Sequence, residues 1–409
     1  MSEKLLILFL FLTSLLSAQT SYFVKYKESL PISEVHQKVE QRRLLPEGDQ
    51  PLMMPAATDV RFFARGMARE IPGLQRILFT TFASELSASD ITRLLNADPA
   101  IEYIQANTVY SINGFSADGP NDSLFAQQWG LHRIKAPAAW SVSSGNPAII
   151  IGVIDTGVDY LHPDLDGQIW LNAGEIGTDT QGNDKRSNGI DDDGNGFIDD
   201  FRGWDFTDRA GFPFDSSGGD YLNWDNDPMD ENTFSHGTAV SGIISAKRNN
   251  LLGISGIVPE SKIMAVRAFD PGGFGEEDDV AAAILYATVN GAKVINMSFG
   301  DYSFSYVLRD VIRFASAQGV VLVASSGNSG SAAPHYPSGY SEVISVGNSM
   351  KSDYPSGNSN YGSTLDLIAP GTEIPTLARR YQYSLFSGTS AAAPHVSAAA
   401  ALLLSIQQF

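Results

Sequence analysis

Five short, largely apolar runs constrain this chain more than anything else in it: Ala148 to Ile154, which is continuous, then Lys262 to Ala268, Val294 to Ser298, Val320 to Ala324 and Val343 to Val346. A strand with one wet face alternates apolar and polar residues, whereas a run that is apolar throughout is covered on both faces. Helical stretches over 279–290 and 307–318 lie between these runs. Strands and helices alternating in this way predict an α/β fold, a mainly parallel sheet sandwiched by helices. Ligand sites in such folds lie beyond the C-terminal ends of the strands, which is where Asp155, Ser298 and Asn328 fall.

A second constraint comes near the C-terminal end, in Gly388-Thr-Ser-Ala-Ala-Ala-Pro-His-Val396. A tight turn leads into a stretch apolar nearly all round, so the helix it predicts is a core helix. Pro394 is tolerated there if the helix begins at about Ser390. That start sets the Ser390 hydroxyl at the domain surface beside unpaired backbone N–H groups, a nucleophile next to donors for a developing oxyanion.

Three upstream residues supply what such a serine lacks. Asp155 directly follows the first apolar run, His236 opens a small-residue helix in Ser235-His-Gly-Thr-Ala-Val-Ser-Gly242, and Asn328 lies in Ser325-Ser-Gly-Asn-Ser-Gly330. Histidine is the base that a hydroxyl needs near neutral pH. A carboxylate on its other ring nitrogen fixes the tautomer, and a side-chain amide can join the serine N–H in holding an oxyanion. Asp, His, Asn and Ser in this order and context resemble the subtilisin-like serine peptidases, the subtilases, over about residues 121–409. The resemblance implies Asp155 as orienting acid, His236 as general base, Ser390 as nucleophile and Asn328 as oxyanion donor. Two neighbours depart from the pattern: Ala239 replaces the second histidine of His-Gly-Thr-His, and Ala391 replaces the methionine after the nucleophile. His162 and His395 also match family positions, and both are read as structural histidines.

The resemblance extends to substrate and processing. Substrate is expected to lie extended between two edges, Gly272-Gly273-Phe274-Gly275 and Ser298-Phe299-Gly300, by strand addition. Ser298 to Gly300 and Ala324, Ser325 and Ser326 then wall the primary specificity pocket, with His335 near its floor. Residues 19–113 resemble the inhibitory prodomain, a small α+β unit with strands at 22–26, 76–82 and 101–110 and a helix ending at Leu95. In the family this segment assists folding, blocks the cleft with its last strand and is cut away, here within a polar linker at 114–123. The catalytic domain is expected over 124–409, with an acidic insertion at about 172–231.

Composition bounds the rest. Lys and Arg number 27 against 46 Asp and Glu, a net charge of −19 that argues against a nucleic-acid partner or an anionic membrane surface. No cysteine is present, which excludes disulfides and thiolate chemistry. Lys4, the apolar run Leu5–Leu16 and then Ser17-Ala18-Gln19 read as a secretory leader over 1–18, too short for a stable membrane span. The expected product is secreted and monomeric, acts on proteins or peptides, and is inhibited by its own prodomain.

Asn188-Gly-Ile-Asp-Asp-Asp-Gly-Asn-Gly-Phe-Ile-Asp-Asp200 sets oxygens on one side of a turning loop through Asp191, Asp193, Asn195 and Asp199. Arg202 stands where an EF-hand needs its bidentate glutamate, so the loop is an irregular calcium site or a hydrated acidic turn. Asp225-Asn226-Asp227 is a weaker candidate. The family resemblance implies a second calcium site at Asp164, Asn249 and the carbonyl of Ile254. Calcium is thus the expected structural cofactor, and no organic cofactor is expected. Two functions fit: a secreted serine endopeptidase made as an autoprocessed proenzyme, or a catalytically silent subtilase fold serving as an adhesin or binding protein. Reaction of Ser390 with a fluorophosphonate separates them.

Overall fold

The computed structural model describes residues 20–40, 57–62, 71, 73–82, 98–107, 109–112, 125–208 and 223–406. The leader, the helix ending at Leu95, the linker and part of the acidic insertion lie outside the described residues. The chain divides into two units, 1–63 with 75–107 and 64–74 with 108–409.

In the first unit, β1 (Thr20–Tyr26) is followed by α1 (Ile32–Glu40), β2 (Ala57–Phe62), β3 (Ile77–Phe82) and β4 (Ile101–Ala106). The strands form one antiparallel sheet in the order β2-β3-β1-β4. Its core is Tyr22, Val24, Tyr26, Val35, Val60, Leu78 and Ile101. The single strand expected over 101–110 is two strands: β4 stays in this sheet, and β5 (Val109–Ile112) belongs to the second unit.

The second unit opens with the short helices α2 (Trp129–Arg133) and α3 (Ala136–Ala139) and is built on a seven-stranded parallel sheet. Its strands are β6 (Ile150–Asp155), β7 (Gly203–Asp205), β8 (Lys262–Arg267), β10 (Val294–Met297), β12 (Val321–Ser325), β13 (Val343–Ser349) and β14 (Leu367–Pro370). β9 (Phe274–Glu276) and β11 (Phe299–Gly300) lie outside that sheet. The order is β14-β13-β12-β10-β6-β8-β7, with every pair parallel. All five apolar runs are strands of this sheet; the other two are β7, from the acidic insertion, and the edge strand β14.

The helices explain why those runs are apolar on both faces. Ile151 and Val153 of β6 join a core with Val240 and Ile243 of α4 (His236–Ser245) and Ala391 to Ala393 of α7 (Thr389–Ile406). Gly152 points the other way, where an added Cβ would stand 3.1 Å from Cβ of Ala287 in α5 (Glu277–Val289). α5 packs in turn on α6 (Tyr306–Ala317). A hairpin of β15 (Ile374–Ala378) and β16 (Gln382–Phe386) leads into α7. Among the described residues α7 is the one helix long and apolar enough to cross a membrane, and it is this unit's core helix.

Candidate active site

Parallel strands deliver the chemistry to one end of the sheet. Asp155 is the last residue of β6 and is wholly buried. His236 is the first residue of α4, also wholly buried, and its Nδ1 lies 2.7 Å from Asp155 Oδ1. Gly237 makes that approach possible: a Cβ there would sit 2.0 Å from the carbonyl oxygen of Gly157 and 3.0 Å from Cβ of Asp155. The same carboxylate oxygen accepts the backbone N–H of Thr156 at 2.8 Å. The His236 ring meets the ring of Phe386 edge-on at 5.2 Å, four residues before Ser390.

Asp230 was not singled out in the sequence, and it ties these two segments together. Its Oδ1 accepts the Thr156 hydroxyl at 3.1 Å and the Asn232 N–H at 3.0 Å, while Oδ2 accepts both the N–H (3.0 Å) and the hydroxyl (2.6 Å) of Thr238. One carboxylate thus spans the residue after Asp155 and the first turn of the His236 helix. Complete burial raises its pKa to about 6, against the lowering effect of the Thr238 hydrogen bonds.

Helix α7 starts at Thr389, one residue earlier than expected, and Ser390 is fully buried and not at the surface. Pro394, inside the helix, has no N–H to offer the carbonyl four residues back, which is that of Ser390. The Ser298 hydroxyl donates to that carbonyl instead, at 3.1 Å, and Ser390 Oγ donates to the Ser298 carbonyl at 3.1 Å. Behind this exchange, Asn296 Nδ2 donates to Ser298 Oγ at 3.0 Å, and Asn296 Oδ1 accepts from Ser397 Oγ at 2.8 Å. A buried polar chain from the middle of α7 through β10 therefore fixes the turn that carries Ser390. Asn328 is fixed from the same turn: its Oδ1 accepts the Thr389 N–H at 2.8 Å and the Thr389 hydroxyl at 3.1 Å, which makes Nδ2 the donor end of the amide.

The two expected substrate edges each carry a pairing partner. β5 runs antiparallel between them in the sheet β11-β5-β9. Tyr110 is opposite Gly275, Ser111 is opposite Phe274 on one side and Gly300 on the other, and Ile112 is opposite Phe299. Gly273 precedes the β9 edge and donates its N–H to the Asp270 carbonyl at 2.9 Å. Ala324 and Ser325 close β12, and Ser326 N donates to the Val346 carbonyl at 2.9 Å. His335 is buried among these walls: Cβ atoms added to Gly300 and Gly327 would stand 2.5 and 3.1 Å from its ring, and the Tyr302 ring packs edge-on at 5.2 Å. Burial lowers its pKa to about 4, so the ring is neutral near pH 7.

His162 and His395 fit their structural readings. His162 Nδ1 accepts the Asp164 N–H at 3.1 Å and its Nε2 is 3.1 Å from the Gln382 carbonyl. His395 Nδ1 is 2.9 Å from the Ala391 carbonyl, and burial lowers its pKa to about 4.

The acidic loop differs in detail from its sequence reading. Asp191 turns inward on its own loop, accepting from the N–H groups of Gly194 (2.7 Å), Asn195 (3.1 Å) and Gly196 (2.8 Å). Asp199 accepts the Gly189 N–H, and Asn195 donates its amide to Asp200 at 3.0 Å. The carboxylates that converge are those of Glu175, Asp193 and Asp200, whose ligand atoms lie within 4.8 Å of one another. Glu175 is wholly buried with no hydrogen-bond partner at Oε2, and burial raises the pKa of Glu175 and of Asp200. Hard oxygen donors around such an atom suit calcium. Of the three carboxylates expected as ligands, Asp193 is in this group, whereas Asp191 and Asp199 accept N–H groups of the turn.

At the Asp164 position the carboxylate is hydrogen-bonded within the protein. Its Oδ1 accepts Asn250 Nδ2 at 2.6 Å, and its Oδ2 accepts the Ile254 N–H at 3.1 Å and the Tyr383 hydroxyl at 3.0 Å. Both oxygens accept protein hydrogens, that of Ile254 through its N–H and that of Asn250, the neighbour of Asn249, through its amide. Asp225 and Asp227 likewise form a turn, the Asp227 N–H donating to Asp225 Oδ1 at 2.8 Å. Among the described residues a further carboxylate group joins Asp208, Glu276 and Asp279.

The fold is a parallel α/β sheet with Asp155 and His236 paired where the strand β6 ends. The model of the subtilase family matches residues 146–408. A thermophilic serine proteinase from Bacillus sp. (strain AK1) is 36% identical over 316 residues, 77% of this chain and 66% of that relative. Thermitase from Thermoactinomyces vulgaris is 36% identical over 287 residues, 70% of this chain and 85% of its own length. The alkaline protease of Shouchella clausii is 28% identical over 408 residues, 98% of this chain and 87% of its own. The chain belongs to the subtilase family of serine endopeptidases.

Proposed function

We propose that this chain is a secreted serine endopeptidase, made as a proenzyme, that cleaves peptide bonds through Asp155, His236 and Ser390. The observation that carries the reading is the buried pair of His236 Nδ1 and Asp155 Oδ1 at 2.7 Å. With Nδ1–H donated to the carboxylate, Nε2 is the lone-pair nitrogen. It takes the proton of Ser390 as Oγ attacks the scissile carbonyl, and Asp155 stabilises the imidazolium that forms. The oxyanion accepts hydrogen bonds from the Ser390 N–H and Asn328 Nδ2; removing one such donor costs about 100- to 1000-fold in turnover. His236 then passes its proton to the leaving amine, which breaks the C–N bond and leaves an acyl ester on Ser390. Water, deprotonated by His236, attacks that ester and frees the acid, and the proton returns to Ser390.

β5 supports the proenzyme reading. It occupies both edges in the extended, antiparallel manner proposed for substrate and runs to Ile112, opposite Phe299 and so next to the Ser298–Ser390 contact. Main-chain pairing there inhibits until the chain is cut between about 112 and 121. The leader pattern at 1–18 supports export. Glu175, Asp193 and Asp200 are the residues proposed to hold calcium, which would add stability by binding the folded form alone. Incubation of the purified chain with and without calcium, followed by N-terminal sequencing, tests the reading. A new terminus within 113–122 is expected, absent in Ser390→Ala; the same terminus in that variant would refute self-processing.

A further inference from the structure

The loop after β12, residues 326–331, carries Asn328 and has no strand or helix to satisfy its backbone. Buried backbone groups in such a loop need partners. One side chain from a distant segment supplies three of them. Asn360 is 3% exposed, and its amide uses all four hydrogen-bonding positions. Nδ2 donates to the Ser326 carbonyl at 2.7 Å and to the Tyr302 hydroxyl at 3.1 Å. Oδ1 accepts the N–H of Ser329 at 3.1 Å and of Ser331 at 3.0 Å. The Asn360 backbone N–H adds a bond to the Gly327 carbonyl at 2.9 Å. Groups on both sides of Asn328 are therefore tied to one amide. Gly327 leaves room for it, since a Cβ there would stand 2.4 Å from Asn360 Nδ2, and its φ of +101° is one a side chain rarely adopts. Tyr302, the fourth partner, also packs on His335 in the wall of the specificity pocket.

We propose that Asn360 is a positioning residue for the oxyanion site: it holds the loop so that Asn328 Nδ2 meets the developing oxyanion, and it links that loop to the pocket wall through Tyr302. The proposal rests on Asn328 being the oxyanion donor. A displacement of about 1 Å in a group that acts in the transition state costs on the order of 100-fold. Asn360→Ala, with active sites counted by fluorophosphonate titration of Ser390, is expected to lower kcat by about 30- to 100-fold with KM changed less than about threefold. Asn360→Asp keeps the acceptor for Ser329 and Ser331 and loses the donor to Ser326; its kcat is expected between those of Asn360→Ala and the parent.

The double-mutant cycle with Asn328→Ala separates positioning from general support. With Asn328 gone there is nothing left to position, so Asn360→Ala should lower kcat by less than about threefold further. If Asn360→Ala lowers kcat equally in the presence and absence of Asn328, the proposal is overturned and the residue is structural. An unchanged kcat per titrated site in Asn360→Ala overturns it too. If Asn328→Ala itself leaves kcat unaltered, the oxyanion reading fails, and the proposal falls with it by a distinguishable result. Should Asn360→Ala not fold, the Asn360→Asp arm of the same cycle decides by the same criteria.

Discussion

The exchange between Ser298 and Ser390 makes a prediction that depends on a proline. Pro394 has no N–H to give the Ser390 carbonyl, and the Ser298 hydroxyl donates to that carbonyl at 3.1 Å. Ser298→Ala removes that donor and also the acceptor of Asn296 Nδ2. All three residues are wholly buried, so two polar groups are left without these partners at about 1–3 kcal/mol each. The expected loss of stability is about 2–6 kcal/mol, a large part of the roughly 5–15 kcal/mol that holds a domain folded. Pro394→Ala returns an N–H at the position where a helix bonds its fourth preceding carbonyl. In the Ser298→Ala background it should recover at least about 1 kcal/mol, relative to its effect on the parent, by satisfying Ser390 again. Urea unfolding in a Ser390→Ala background, which stops self-digestion and keeps the carbonyl in question, measures all four combinations. A loss below about 0.5 kcal/mol for Ser298→Ala, or no rescue by Pro394→Ala, would refute the reasoning.

Three further outcomes are expected. Asp230 has a folded pKa of about 6, raised above the ordinary carboxylate value of about 4, so the stability it contributes is present below about pH 4 and is lost as pH rises through about 6. Asp230→Asn should flatten the stability profile across that window, and unfolding midpoints at pH 4 to 7 with an unchanged slope would count against it. His335→Gly should widen the range of side chains accepted at the residue before the cut, since the ring lies against both Gly300 and Gly327; an unaltered peptide-library profile contradicts this. Calcium should raise the melting temperature of the parent and fail to do so in Glu175→Gln, whose carboxylate has a buried oxygen without a hydrogen-bond partner. Equal shifts in both proteins would remove Glu175 from the site.

The sequence made visible what is local. Each apolar run names a strand because burial on both faces needs no distant information, and each of Asp155, His236, Asn328 and Ser390 sits in a turn with its own signature. Asp230 and Asn360 carry no such signature. Each is one polar residue in a loop, and its use is set by groups brought in from distant segments. The acidic loop is a different case. Alternating oxygens announce a turn, but the turn's own N–H groups compete for Asp191 and Asp199, and the convergent carboxylate, Glu175, comes from outside the motif. The strand expected over 101–110 failed because its second half is drawn to the edges Phe274–Glu276 and Phe299–Gly300, a choice invisible in its own residues.

The central claim is that His236, oriented by Asp155, activates Ser390. Mass-spectrometric mapping of a fluorophosphonate adduct on the protein cut within about 113–122, by an added protease where a variant does not process itself, tests it most directly. The account predicts rapid modification of Ser390 alone among the serines, slowed by at least about 1000-fold in His236→Ala. Modification that is absent from Ser390, or just as fast without the imidazole, would contradict it.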